Sequence, residues 1–354
     1  MPRQTFAKFK RATEAEPVPV ITDRDLDLIA AISRFRFSPT SELVRLVSGN
    51  QRVSQDRLRK LWKAHLVNRF AFPGIPPSEF IYYLDNRSAL DLLAERRGLE
   101  IIEPMLAELK NNREKDYASA STHGHHMQLG FLKHALMISR FHFMLEMACR
   151  SSAGKVRLVQ WRQGSELAGH KVELPKVVAV RKEGSNDYVW KQQTESIHLP
   201  VEPDGLFTLH FPARPPEQQQ FHFLYEADRG TMVATDMLKK MRAYYHFIKK
   251  QQKHKDAFGI HPVRAVLIET TDEARGQKLM DLVNHPLVAG PDKRVGLFWF
   301  TISPLFTGET NEGSEQSPPA VARYLERPEV VLKDIWATPD RTTHSVSDEE
   351  NQQS

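Results

Sequence analysis

Residues 51–63 read QRVSQDRLRKLWK, and residues 66–84 follow closely as LVNRFAFPGIPPSEFIYYL. In the first stretch, Ser54 can cap a helix whose apolar residues, such as Leu58, fall on one face. The second stretch has two β-prone runs on either side of the Pro- and Gly-rich break PGIPP. This arrangement predicts a β-hairpin directly after the helix.

Two shorter helices are predicted before these stretches. Thr22 can cap the first, which has acidic residues near its positive end. The second opens at residues 39–42 and ends at the Gly-Asn pair that begins at Gly49, because both residues tolerate the left-handed conformation. A further helix is predicted at about residues 88–97. Three short helices followed by a hairpin are typical of a winged helix-turn-helix, so we predict such a domain over residues 21–99.

Basic residues cluster on the third of these helices and just beyond it. The cluster contains Arg52, Arg57, Arg59, Lys60, Lys63 and Arg69. Asp56 is the lone acid among them. A positively charged helix face can enter the major groove, where Arg reads guanine and Lys neutralises phosphate. A solvated surface helix would carry similar charge, but the helix–hairpin layout favours binding to double-stranded DNA.

Outside residues 21–99, the sequence predicts a linker, a second domain and two polar terminal segments. Residues 100–122 are polar and Lys/Glu-rich, which indicates a linker. A long apolar helix over residues 126–150 begins the order α-β-β-β-α-β-α-β. We therefore expect a mixed-sheet α/β domain over residues 123–305, in a protein that is α+β overall. Residues 1–20 indicate a flexible basic arm, and residues 306–354 a disordered tail.

Composition excludes several classes of protein. The chain has 354 residues and a formal net charge of +5, and its single cysteine, Cys149, excludes a disulfide framework. The N-terminus has no apolar signal segment, and no stretch approaches the ~20 apolar residues of a membrane span. These features predict a cytoplasmic protein without a membrane partner. Proteins with a winged helix often dimerise, so a homodimer stays open.

Acidic residues lie at the ends of two predicted strands. Asp204 follows Pro203, and Glu226 and Asp228 follow 22 and 24 residues later. Adjacent strands would bring the carboxylates together, as Mg²⁺ requires, and that ion could activate water for phosphodiester hydrolysis. The Pro-Asp-Gly and Asp-Arg-Gly sequences are equally typical of strand-end turns, so both interpretations stay open.

The helix predicted after Asp228, over residues 235–253, is rich in lysine. Its basic residues and those just after it are Lys239, Lys240, Arg242, Lys249, Lys250, Lys253 and Lys255. Such a surface suits a nucleic-acid backbone, and Lys239 or Lys240 could also assist the carboxylates. The alternative is an amphipathic helix that packs on the sheet with its lysines in water, and both can hold together.

A tyrosine-dependent nickase is a further hypothesis. His123, His125 and His126 form a cluster, and Tyr244 and Tyr245 lie far downstream. In such enzymes histidines hold the metal and a tyrosine attacks the phosphate. The histidines precede a helix rather than alternating on a strand, so polar residues at a helix start and aromatic residues of the core are favoured.

The sequence resembles the replication-relaxation family of plasmids and mobile elements. The resemblance depends on the N-terminal helices, on Pro203-Asp204-Gly205 and on the run LYEADRGT at residues 224–231, and it covers roughly residues 20–285. It implies a part in plasmid replication, DNA relaxation or mobilisation. Replication or relaxase proteins are then expected partners beside duplex DNA.

The predicted strand order of the second domain also resembles the restriction-endonuclease-like PD-(D/E)xK core. That resemblance implies Asp204 and Glu226 as ligands of Mg²⁺, whereas Asp228 stands where the pattern expects a lysine. Either the role of the lysine has moved to Lys239 or Lys240, or the domain keeps the fold for binding alone. We expect an origin-binding protein with a scaffold or degenerate nuclease domain; the alternatives are an active Mg²⁺-dependent endonuclease or nickase and a transcriptional regulator.

Overall fold

The computed structural model describes residues 14–47, 49–71, 79–115, 126–181, 183, 188–289, 295–303 and 323–347. The chain divides into two compact units. One comprises Met1–Ala148 with Ser314–Glu329, and the other Cys149–Gly313 with Val330–Ser354. Most of the predicted N-terminal arm and the PGIPP break lie outside the described residues.

The first unit begins with the short helices and the hairpin that the sequence predicts. Its helices are α1 (Asp23–Phe35), α2 (Thr40–Leu46), α3 (Gln51–Lys63), α4 (Ser88–Arg97), α5 (Glu103–Lys115) and α6 (His126–Ser151). Its strands are β1 (Ser38–Pro39), β2 (Asn68–Ala71) and β3 (Phe80–Tyr83). The strands form an antiparallel sheet in the order β1-β3-β2. The last turn of α6 belongs to the second unit.

Side-chain caps set the starts of α1 and α3. Thr22 and Asp25 form the reciprocal capping box at α1, which confirms the predicted cap. The cap predicted for the third helix is wrong, because Asn50 accepts hydrogen bonds from the backbone N–H of Arg52 at 2.9 Å and of Val53 at 3.3 Å. Ser54 is buried inside α3 instead.

Part of the predicted linker is folded. Residues 103–115 form α5, with Leu109 and Asn112 buried and the Asn112 Nδ2 donating to the Leu84 carbonyl at 2.8 Å. The Ser139 hydroxyl of α6 donates to the Phe37 carbonyl at 2.6 Å. The division between the units therefore falls after residue 148, whereas the sequence analysis places it at residues 100–122.

The second unit is built on a mixed sheet, as the sequence predicts, and the described residues give this sheet seven strands. Its strands are β4 (Arg157–Arg162), β5 (Lys171–Arg181), β6 (Tyr188–Pro200), β7 (Gly205–His210), β8 (Gln220–Ala227), β9 (Val263–Thr270), β10 (Phe298–Ile302), β11 (Trp336–Ala337) and β12 (Thr343–His344). The order in the sheet is β12-β11-β10-β9-β8-β7-β4, with β8, β9 and β10 parallel. Strands β5 and β6 form a separate two-stranded ribbon that the sequence analysis missed.

Helices follow the central strands of this sheet. They are α7 (Ala234–Tyr245), α8 (His254–Phe258), α9 (Glu273–Val283) and α10 (Pro286–Ala289), with a π-helical turn at His246–Lys250 between α7 and α8. Apolar residues of α7 join those of the strands in one core. At the start of β7, a Cβ atom on Gly205 would lie 2.9 Å from the Trp161 ring, so only glycine allows that approach. None of the helices in the described ranges is long and apolar enough to cross a membrane.

Part of the C-terminal segment, which the sequence predicts to be a disordered tail, forms strands of the sheet. Residues 336–337 add β11 antiparallel to β10, and β12 pairs with β11. Trp336 is fully buried, and its indole N–H donates to the Val331 carbonyl at 3.0 Å. Burial of this large aromatic ring stabilises the segment, although most of the residues around it are polar. The rest of the predicted tail, residues 306–322 and 348–354, lies outside the described residues.

Candidate functional site

The structure brings Asp204 and Glu226 together. Strand β7 runs antiparallel to β8 with Gly205 opposite Tyr225, so Asp204 lies beside the end of β8. The backbone N–H of Ala227 donates to the Asp204 Oδ2 at 2.9 Å. The two carboxyls, carried by adjacent strands, are thus close enough to interact electrostatically, as the sequence predicts.

Glu226 is buried between two donors from α7. The Lys240 ammonium donates to its Oε2 and the Tyr244 hydroxyl donates to its Oε1. Burial raises the pKa of Glu226 to about 7, although Lys240 acts in the opposite direction. Burial alone would lower the pKa of Lys240, but the carboxylates of Glu226 and Asp204 hold it above its ordinary value.

Helical geometry selects Lys240 over Lys239. At about 100° per residue, residue 240 lies about 60° around α7 from the buried Met237, whereas residue 239 lies about 160° away. Lys239 is accordingly exposed and bonded to Asp236 at 2.8 Å. Tyr244 is four residues after Lys240, so both side chains reach the same carboxylate. This spacing was the signal in the sequence that distinguishes the two lysines.

Asp228 has a different role from the other two acids. Its carboxylate accepts two hydrogen bonds from Arg275, at 2.8 and 3.1 Å, and one from the Thr270 hydroxyl at 2.8 Å. It also accepts from the Gly230 N–H at 3.2 Å, where Gly230 has a φ of 70°. Asp228 therefore closes the turn after β8, as expected for an Asp-Arg-Gly turn.

Asp204 and Glu226 are the carboxyls at these strand ends that could hold a magnesium ion. Within the described ranges there is no group of three or more His, Cys, Asp or Glu residues placed to hold a metal. Both oxygens of Glu226 accept hydrogen bonds from α7, so a cation at this carboxylate would have to displace Lys240 or Tyr244. The cluster is organised as a hydrogen-bonded ion pair between strand and helix.

The tyrosines proposed as nucleophiles lie in the core. Tyr244 and Tyr245 are 2% and 1% exposed, and the Tyr244 hydroxyl donates to Glu226. A nucleophile must reach the phosphate, which these buried hydroxyls do not in this conformation. His123 and His125 lie outside the described residues, and His126 begins α6.

Two of the six predicted DNA-binding residues, Arg57 and Arg69, have guanidinium groups that contact other side chains of the first unit. Arg57 forms a bidentate ion pair with the fully buried Asp25 of α1, with its Nε donating at 2.6 Å. Although burial opposes it, the hydrogen bonds from Arg57 and Thr22 hold the pKa of Asp25 below its ordinary value. The Arg69 guanidinium is buried and lies 3.8 Å from the ring centre of Trp62 and 3.9 Å from that of Phe80.

The other four basic residues lie along the outer side of α3. Arg52, Arg59 and Lys60 are exposed, and Lys63 is partly exposed. Arg59 bonds Asp56 at 3.0 Å and Lys63 bonds Glu16 at 2.5 Å, both as surface ion pairs, which contribute little to stability. Sequence reasoning did not identify Asp25 as the partner of Arg57, because that acid suits the first turn of a helix equally well.

One of the comparisons with known proteins gave a match. The family model described as replication-relaxation matches residues 29–263, which is more than half of the chain and includes α3, Asp204 and Glu226. Comparison with curated proteins and with solved structures gave no match. The chain therefore belongs to the replication-relaxation family, as its sequence motifs indicate.

Proposed function

We propose that this protein binds duplex DNA at the origin of a plasmid or mobile element and serves its replication, relaxation or mobilisation. The family supports the process, and the exposed basic side of α3 supports the DNA contact. In this proposal the first unit is a winged helix-turn-helix and α3 is its recognition helix. The protein then acts in the cytoplasm, where such DNA resides.

The order of elements in the first unit favours this assignment. Helices α2 and α3 are joined by a short connection, and the antiparallel pair β2–β3 follows. A winged helix has this order, with its last helix available for the major groove. Arg52 lies in the first turn of α3, where recognition helices contact base edges.

Arg57 and Arg69 fix the orientation of α3 within the first unit. Arg57 joins α3 to α1 through Asp25, and Arg69 stacks between Trp62 of α3 and Phe80 of β3. A buried bidentate ion pair holds its geometry better than a surface pair. We therefore assign Arg57 and Arg69 to positioning, and Arg52, Arg59, Lys60 and Lys63 to DNA contact.

Binding to an origin fragment tests the proposal. Arg52→Ala/Lys60→Ala is expected to weaken affinity at least tenfold in a fluorescence-anisotropy titration, because two phosphate or base contacts are lost. Arg96→Ala/Lys110→Ala removes two exposed charges from α4 and α5 of the same unit and is the matched control. Equal affinity of the two double variants would contradict the proposal.

A DNA endonuclease or nickase is the second candidate function. The observation that favours it is the meeting of Asp204, Glu226 and Lys240 at the ends of β7 and β8. The occupied oxygens of Glu226 favour a scaffold instead. A transcriptional regulator would use the same side of α3 and differ in the location of its binding site.

Supercoiled plasmid carrying the origin distinguishes the enzyme from the scaffold. The protein is incubated with Mg²⁺, with Mn²⁺ and with EDTA, beside an Asp204→Ala/Glu226→Ala variant. Nicked or linear product that needs the metal and disappears in the variant would establish a nuclease. A clear gel shift without conversion by either protein supports the scaffold.

A further inference from the structure

A second strongly basic surface lies in the other unit, at residues 249–255. This segment reads KKQQKHK and contains four lysines and no acid. Lys249, Lys250, Lys253 and Lys255 are all exposed. We call it the lysine turn. An exposed cluster of like charges attracts polyanions.

The backbone holds the lysine turn in a defined shape. The helix predicted to run to residue 253 ends earlier, because α7 passes into a π-helical turn in which the Gln251 N–H donates to the His246 carbonyl at 2.8 Å. Gln252 then takes a left-handed conformation, with a φ of 51°. Such π-helical turns occur frequently at functional sites.

Buried residues on both sides anchor this shape. Phe247 and Ile248 precede the exposed lysines, His254 lies among them, and Phe258 follows; all four are 5% exposed or less. The backbone that carries the lysines is therefore held in place by buried side chains on both sides. A pre-organised backbone lowers the ordering cost of binding.

The lysine turn is continuous with the ribbon formed by β5 and β6. The Gln251 Nε2 donates to the Glu173 carbonyl at 2.9 Å, and the Arg242 Nη2 donates to the Pro175 carbonyl at 2.8 Å. On β6, residues 191–196 read KQQTES and are all exposed. Lysine, glutamine, threonine and serine side chains are typical donors to phosphate oxygens, and the one acid of this run, Glu195, is paired with Lys176 of β5 at 2.7 Å.

We propose that the lysine turn, with the adjacent ribbon, binds the phosphate backbone of duplex DNA and adds a contact independent of sequence. The inference rests on the proposed function, since it supplies affinity to the DNA that α3 recognises. A structural explanation is available for comparison: lysines near a helix C-terminus also stabilise the helix dipole. The two explanations differ in the dependence of DNA affinity on salt.

The experiment compares two matched double variants of the full-length protein. Lys253→Ala/Lys255→Ala removes two charges from the lysine turn, and Lys278→Ala/Lys333→Ala removes two exposed charges elsewhere in the same unit. Affinity for the origin duplex, an unrelated duplex and a single strand of equal length is measured over a range of salt concentrations. Each lost phosphate contact reduces the slope of log K against log[salt] by about 0.9.

In the lysine-turn variant, the magnitude of this negative slope is expected to decrease by about 2 on both duplexes. The control variant should leave the slope unchanged. An unchanged slope with a lower Tm would assign the lysines to the helix dipole and overturn the inference. A loss confined to the single strand would also overturn it.

Failure of the proposed function gives a different pattern. If the wild-type protein binds no duplex, both proposals are wrong. If Arg52→Ala/Lys60→Ala abolishes preference for the origin while Lys253→Ala/Lys255→Ala keeps the wild-type slope, only the second contact is wrong. A Lys253→Arg/Lys255→Arg variant keeps the charge and should keep the slope.

Discussion

Each unit buries a glutamate against a tyrosine hydroxyl, and the two sites differ in their cations. In the first unit, Tyr324 donates to the Glu42 Oε1 at 3.0 Å. In the second, Tyr244 donates to Glu226, and Lys240 donates to the other oxygen of that carboxylate. Within the described residues, the buried Oε2 of Glu42 has no hydrogen-bond donor.

This difference has a consequence for charge. Burial raises the pKa of Glu42 to about 8, against smaller opposing effects of Tyr324 and Arg140. Burial raises the pKa of Glu226 only to about 7, since Lys240 opposes it directly. Glu42 therefore favours its neutral form at neutral pH more strongly than Glu226 does. A direct ammonium partner decides whether a buried carboxyl can be charged.

Removing that partner should have the largest effect on stability. Lys240→Ala is expected to lower the free energy of unfolding by about 3 kcal/mol near pH 8, because a buried carboxylate loses its cation or must take up a proton. The loss should be smaller near pH 5, where Glu226 is already protonated. Urea denaturation at both pH values measures the change.

Lys239→Ala is the matched control for that variant. It removes the neighbouring lysine, which is exposed and bonded to Asp236, and it should change stability by less than about 0.5 kcal/mol. Equal losses in the two variants would show that the pairing of Lys240 with Glu226 does not stabilise the fold.

The pH dependence of stability should reveal both carboxyls. Each folded-state pKa lies above the ordinary value of 4.5, so each group stabilises the fold fully below about pH 4.5. Stability is then lost as pH rises through about 7 for Glu226 and about 8 for Glu42, at no more than about 1.4 kcal/mol per pH unit each.

Glutamine variants separate the two contributions. Glu226→Gln should flatten the stability profile between about pH 4.5 and 7, and Glu42→Gln should flatten it up to about pH 8. The readout is the free energy of unfolding from urea titrations at several pH values. Equal slopes of the wild-type and glutamine-variant profiles across this window would refute the assignment for that residue. Histidines such as His142 and His246, whose pKa burial lowers, make stability rise with pH in both profiles and do not affect this comparison.

Among the changes at the buried carboxyls, the smallest expected effect comes from the tyrosine hydroxyls. Tyr324→Phe should cost about 1–2 kcal/mol, because it removes the hydrogen bond to Glu42 and leaves both oxygens of that carboxyl without a donor. Tyr244→Phe should cost less than about 1 kcal/mol, because Lys240 still donates to Glu226. Thermal unfolding of the two variants makes the comparison, and a reversed order would contradict the importance given to Lys240.

Local patterns in the sequence predicted much of this fold. The cap at Thr22, the bounds of α4 and the order of the strands that carry Asp204 and Glu226 need only a few neighbouring residues. Strands β11 and β12 were not predicted, since their polar composition hides the burial of Trp336. The ribbon of β5 and β6 was missed for a related reason: its outer residues are polar and it joins no larger sheet.

The candidate sites show the same division. By itself the sequence determined which residues are charged, that α3 has a basic side, and that two strands end in acids. Only the tertiary structure decided that Arg57 pairs with Asp25, 32 residues away, and that Asp228 closes a turn with Arg275. Helix and strand periods follow from neighbouring residues, whereas the partner of a charge depends on which distant segments the packing of the core brings into contact.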